Sequence, residues 1–368
     1  MTTLGRHGRK LATLAVLSAA ALVPAVLGRY WAFVAATAIG FSLYALSIVV
    51  ITGFTGQISL AQASIGGMGA FFASAAIYQV GLPYYAGILA GIAVAVAASV
   101  LIGLPSLRLR GLQFAVATWS FTLFTDRFIF TWDKLGYKGL TGVPLQRPVI
   151  AGVNFADDSR YYYLLLAVGF LVFWLVGNLR NSGLGAALNL VRDDEIAAAA
   201  MGVHVARAKL AAFAVSGALA GLAGIIMASL VFRVLAISFS PIVSVNLLAI
   251  AVIGGVRMIS GAALAGAMFA AVPELLRVFR SLQGEKWLLF LGAFLIFAQW
   301  LGTGGLAGAA ERLWLTVRRA NATHRLRVGP AAGRPLAGVG LGRRPRPGLV
   351  PRSGRVSALL APGELVIR

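Results

Sequence analysis

No cysteine occurs in this sequence, so neither a disulfide framework nor a cysteine-ligated metal is available to it. Histidine is nearly as scarce. The three present, His7, His204 and His324, stand far apart in the chain, which argues against a histidine metal cluster or acid–base centre. Carboxylates are also few: 11 Asp and Glu face 32 Lys and Arg, for a formal net charge of +21. In a soluble protein that imbalance points to nucleic acid. What the chain has in abundance excludes that class. Hydrophobic residues make up 59% of it, charged residues only 12%, and the mean hydropathy is +0.87. A soluble domain of 368 residues could not hide that much apolar surface, so this is an all-α integral membrane protein. Its arginines are read as topology marks at span ends and in the tail.

The basic stretch Met1–Lys10 precedes an apolar run from Leu11 to Leu27. No small-residue cleavage site leads into a soluble domain, so the run is read as an uncleaved first span. Further spans are expected at Tyr30–Thr52, Ile65–Tyr78, Tyr84–Leu104, Gln113–Phe130, Tyr161–Leu179, Leu210–Val231, Val243–Gly255, Ala262–Val278 and Trp287–Leu301. That makes about ten crossings, or eight or nine if Gly53–Ser64 is re-entrant. With both termini on one side, the arginines and lysines of the N-terminus, Arg108–Arg110, Arg180–Lys209, Arg257 and the C-terminal tail share a compartment. The positive-inside rule makes that compartment the cytoplasm. Residues 1–310 are expected to form the membrane domain. Residues 311–368, rich in Arg, Gly and Pro, are expected to be a disordered basic tail that anionic membrane lipid can hold loosely.

The polar run Leu179–Lys209 (LRNSGLGAALNLVRDDEIAAAAMGVHVARAK) lies between two long apolar blocks, yet it is not written like a slack loop. Asp193 and Asp194 are candidate helix N-caps, and Glu195 adds negative charge to the first turn, where the helix dipole favours it. Ala197–Ala200 are strong helix formers, and Gly202 suits the residue just past a helix end. The run predicts a short, rigid helix on the membrane surface, of the kind needed where something outside the bilayer pushes on the spans. An ordinary helical connector is the plainer alternative.

The stretch GFTGQISLAQAS (Gly53–Ser64) interrupts the apolar pattern with glycines and places Gln57, Ser59, Gln62 and Ser64 at membrane depth. Irregular backbone at that depth must be buried in protein or line a cavity. The residues fit a broken helix along a solute path, and they fit equally well a set of interhelical hydrogen bonds. Glu274 in PELLR has Arg277 one turn on, and Asp126 adjoins Arg127. Both read as local pairs and not as a proton relay, which weakens a self-contained proton-coupled carrier or channel as an alternative. GGVRMISGAALAG (Gly254–Gly266) opens no βα unit and has no Walker lysine, so it is a packing turn. Small residues in SGALAGLAG, within Leu210–Val231, allow close helix approach.

GQISLAQASIGGMGAFFASA, SGLGAALNLVRDDEIAAAAMGVHVARAKLAAFAVSGALAGLAG and SFSPIVSVNLLAIAVIGG followed by PELLR occur in that order over Tyr30–Leu301. Together they resemble the LivM-type permease subunits of bacterial ABC importers for branched-chain amino acids. The chain departs from that pattern at Ala61, Ala186, Arg257 and Ala262. The resemblance implies a heterodimer with a second permease subunit, served by two cytoplasmic ATP-binding subunits and an extracytoplasmic solute-binding protein. It implies leucine, isoleucine or valine as the amino-acid substrate, or urea or a short amide as in related permeases. It also implies that ATP chemistry and cofactors are absent from this chain, with no nucleic-acid partner. Arg192, Asp193, Asp194, Glu195 and Gly202 would then belong to a coupling helix seated on an ATPase. Gln57, Ser59, Gln62 and Ser64 would lie beside the translocation path.

Overall fold

The computed structural model describes residues 3–109, 111–135, 142–150, 152–278 and 308. The chain divides into two units, Met1–Arg318 and Arg319–Arg368, and every described residue lies in the first. The expected span Trp287–Leu301 and the expected tail 311–368 fall outside the described residues.

Helix α1 (Thr3–Ile48) runs into a π-helical turn, Val49–Gly53. It is interrupted at Gly28, whose φ of +84° is open to glycine at little steric penalty. Two segments were expected to meet here, and two helical stretches joined across a kink at Gly28 are found. After an unwound stretch, α2 (Gln62–Tyr78) and α3 (Tyr84–Gly103) follow, then α4 (Leu112–Phe124), extended by a π turn at Thr125–Ile129. Next come α5 (Asp158–Arg180), α6 (Gly183–Asp193), α7 (Glu195–Ala200), α8 (Val205–Leu230), α9 (Pro241–Gly254) and α10 (Ile259–Val278). Among the described residues, four helices are long and apolar enough to cross a membrane: Ala20–Gly53, Tyr84–Leu107, Asp158–Arg180 and Val205–Leu230. Pro241–Gly254 and Ile259–Ala271 are shorter apolar helices.

The core forms around α8, because its small residues admit neighbours at backbone distance. A Cβ on Gly224 would collide with the Gly66 carbonyl of α2, and one on Gly217 or Gly221 with Ser99 or Ala95 of α3. The glycine-rich stretch after α9 is a packing turn: Gly255 has φ +113°, and Gly254 and Gly261 meet at backbone distance.

One end of the bundle is fastened by Arg147, whose side chain is 1% exposed. It donates to the carbonyls of Ser229, Leu230 and Ala156 and pairs with Asp158 at 2.8 Å. Its guanidinium stacks between Tyr161 and Phe232, 4.7 and 4.4 Å from the ring centroids. Phe232 is held at φ +58°, an uncommon conformation for a non-glycine residue. Nearby, β1 (Val143–Pro144) pairs with β4 (Arg233–Val234), and β2 (Val149–Ile150) with β3 (Val153–Asn154). These two-residue ladders are the departure from an all-helical expectation. They satisfy backbone groups of a loop pressed against helix ends.

Candidate functional site

The opposite end of the bundle carries a two-helix hook. In α6 the apolar residues Leu184, Leu188 and Val191 recur at i, i+4 and i+7, so one face turns inward; Leu188 and Val191 are buried. Ser182 caps α6, its hydroxyl accepting from the Gly185 N–H. Asp194 then leaves the helical region (φ −158°, ψ +115°), and its carboxylate accepts from the N–H groups of Ile196 (2.8 Å) and Ala197 (3.1 Å). These are two of the donors that a helix start leaves open. The turn ends at Met201, and Gly202 takes φ +83° just beyond.

The residues predict a helix started by a cap at Asp193 or Asp194 and ended before Gly202, and the resemblance implies a coupling helix over Arg192–Gly202. The structure gives Glu195–Ala200, with Arg192 and Asp193 closing the preceding helix, because the cap at Asp194 breaks the chain direction between them. Of the three acids, Asp194 is engaged in the cap. Glu195 receives the ammonium of Lys209 at 2.7 Å, and that lysine side chain is 2% exposed. Asp193 remains 70% exposed and pairs with Arg192. Two large apolar side chains also project from the hook, Ile196 at 80% and Met201 at 61% exposure.

Gly56–Ala61 is the break in the helical pattern, shorter than the Gly53–Ser64 interruption read from the sequence, and it folds into the protein. Gln57, Ser59, Gln62 and Ser64 are all buried. Gln57 donates its amide to the Ser106 carbonyl at 3.1 Å, and the Ser59 hydroxyl accepts from the Ala61 N–H at 3.4 Å. The Gln62 carbonyl oxygen accepts from the hydroxyls of Ser47 (3.1 Å) and Ser216 (3.4 Å), joining α1, α2 and α8. Ser64 Oγ is buried without a hydrogen-bond partner among the described residues. The unwound backbone is held by α4: Leu60 donates its N–H to Thr118 (3.0 Å), and its carbonyl accepts from Thr122 (3.1 Å).

The two predicted groups of residues meet at one point. Arg192 reaches from α6 to donate to the Gly53 carbonyl at 2.9 Å. A Cβ on Gly56 would come within 3.0 Å of the Arg192 Cγ, and Gly56 has φ +73°. Sequence reasoning did not single out Lys209 within its basic run, nor Thr118 and Thr122. The threonines carried a signal, since Thr118, Thr122 and Thr125 recur at i, i+4 and i+7 on one face of α4. Lys209 and Glu195 are 14 residues apart, and nothing local marks them as partners. Elsewhere, Glu274 accepts from the Tyr30 hydroxyl, and the Arg277 side chain expected beside it lies outside the described residues. Asp126 and Arg127 pair at 4.0 Å.

No solved structure matches the chain. Among curated proteins it is 27% identical over 314 residues to the high-affinity branched-chain amino acid transport system permease protein LivM of Salmonella typhimurium, covering 78% of this chain and 72% of that protein. The protein of the same name from Escherichia coli K12 gives the same identity and coverage. The family model described as branched-chain amino acid transport system / permease component matches residues 30–299, α2 to α10 and both halves of the site included. This membrane protein therefore belongs to the branched-chain amino acid transport system permease family.

Proposed function

We propose that this chain is the membrane-spanning permease subunit of an ABC importer that carries leucine, isoleucine or valine inward, driven by ATP hydrolysis on separate subunits. In this reading α6 and α7 face the cytoplasm, in keeping with the arginines gathered at that end of the spans. A second permease subunit completes the path, two ATP-binding subunits engage the hooks, and an extracytoplasmic binding protein delivers the solute.

The observation that carries the reading is the construction of the hook. It is capped by Asp194 and pinned by the Glu195–Lys209 pair to the second turn of α8, so force on α7 is transmitted to a span rather than absorbed. Its exposed face offers Ile196 and Met201 with Asp193 beside them, an apolar knob with an acidic rim suited to a groove on an ATPase. The names of the two relatives support branched-chain amino acids as the solute.

The test is to purify the chain in mild detergent from cells that also express the ATP-binding subunits. Those subunits should co-purify with it. The reconstituted assembly should take up labelled leucine in competition with isoleucine and valine and not with urea. Failure of the ATP-binding subunits to co-purify would remove the assignment; competition by urea alone would move the substrate to the amide class.

A further inference from the structure

The contacts between the hook and α4 form a train that the functional reading above does not use. It begins at Arg192, which is 23% exposed and whose guanidinium points into the bundle. Nη1 donates to the Gly53 carbonyl, while Nε and Nη2 face the Asp193 carboxylate at 3.0 Å, which orients the fork. Gly53 closes the π-helical turn at the end of α1, the kind of widened turn found at points of adjustment in helices. From there the chain unwinds through Gly56, is held midway by Gln57 on the Ser106 carbonyl, and ends at Leu60, gripped on both backbone groups by Thr118 and Thr122 of α4.

The same segment carries unsatisfied groups. Thr52 Oγ1 and Gln57 Oε1 are buried and have no hydrogen-bond partner among the described residues. Buried polar atoms normally find partners, so these two are left for water or for a second arrangement of the segment to satisfy. An element gripped at both ends, unwound between them and incompletely satisfied has the properties of a two-state part.

We propose that Arg192 is a positioning residue: it draws movement of the hook through Gly53 into the unwound segment Gly56–Ala61, which passes it to α4 through Leu60. This rests on the permease reading, and it assigns Arg192 to the interior of the chain, leaving contact with the ATP-binding subunit to Ile196, Met201 and Asp193.

Because the chain has no cysteine, single cysteines at Ile58 and Val116, 43% and 57% exposed, give a clean pair of spin-label sites on the segment and on α4. In the assembled importer, addition of ATP with vanadate shifts the distance between the labels. Arg192→Gln abolishes that shift and lowers the solute moved per ATP hydrolysed by about tenfold. Arg192→Lys, which keeps one charged donor toward the Gly53 carbonyl, restores part of both.

A purely structural role would lower yield or melting temperature and leave the shift and the transport ratio as in the wild type; that result overturns the proposal. If Arg192→Gln does not assemble, the double variant Thr118→Val/Thr122→Val decides from the other end. It keeps side-chain shape, releases Leu60 and loses the same coupling, and an unchanged ratio in it overturns the proposal. Absence of ATP-binding subunits in the wild-type preparation removes the permease reading itself, whereas normal assembly with an unchanged ratio in the variants removes only the role of Arg192.

Discussion

Lys209 is the residue on which the hook depends most directly. An ammonium with a 2% exposed side chain is tolerated only because Glu195 stands 2.7 Å away, itself 24% exposed. Replacing Glu195 by Gln strands the cation. That change is expected to destabilise the detergent-solubilised protein by about 3 kcal/mol, at the low end for a broken buried pair because the carboxylate is partly hydrated. Adding Lys209→Met to the same variant is expected to recover most of the loss, since two neutral side chains leave no buried charge. Thermal unfolding of the three proteins measures this, and a double variant no more stable than Glu195→Gln would show that the pair is not what holds the turn. Glu195 was legible in the sequence as a helix-start acid. Its partner was not, because tertiary packing and not spacing brings residue 209 under residue 195.

At the scale of elements, two features set the architecture. The first is the glycine seam of α8. An Ala at Gly224 would place a methyl against the Gly66 carbonyl, a backbone atom with no room to move, whereas Gly177 of α5 has nothing within 4 Å. Gly224→Ala is expected to lose about 2 kcal/mol by overpacking, and Gly177→Ala to be neutral or slightly stabilising; melting temperatures in detergent compare them. The second is the hook. Ile196→Asp replaces an 80% exposed apolar side chain and leaves the cap at Asp194 intact. Stability should therefore hold while co-purification of the ATP-binding subunits is lost; retained co-purification would place their contact elsewhere. The cap and the terminating glycine were readable from DDE and Gly202. Helix α6 was harder to see, because its glycine-rich start resembles a loop, although Leu184, Leu188 and Val191 carry a helical period. The break at Gly53–Ser64 was found from its glycines and amides. Its burial and its grip by α4 depend on the threonine face of another helix, which periodicity shows only once the two are known to touch.

For the molecule as a whole, the scarcity of acids and the long apolar runs sufficed to identify a membrane protein, and three separated motifs sufficed for its family. The fastening around Arg147 was not legible at all: a single loop arginine gives no hint that it will collect three carbonyls, a carboxylate and two aromatic rings. The arrangement that results has one end fixed by that arginine and the other ending in a stiff hook tied to the unwound segment. In the proposed importer such a body transmits work that the ATP-binding subunits supply. This is tested most directly by labelled leucine uptake into proteoliposomes containing this chain with or without its partner subunits, under ATP or under an imposed ion gradient. Accumulation is expected only with the complete assembly and ATP; accumulation by this chain alone under a proton or sodium gradient would contradict the importer reading.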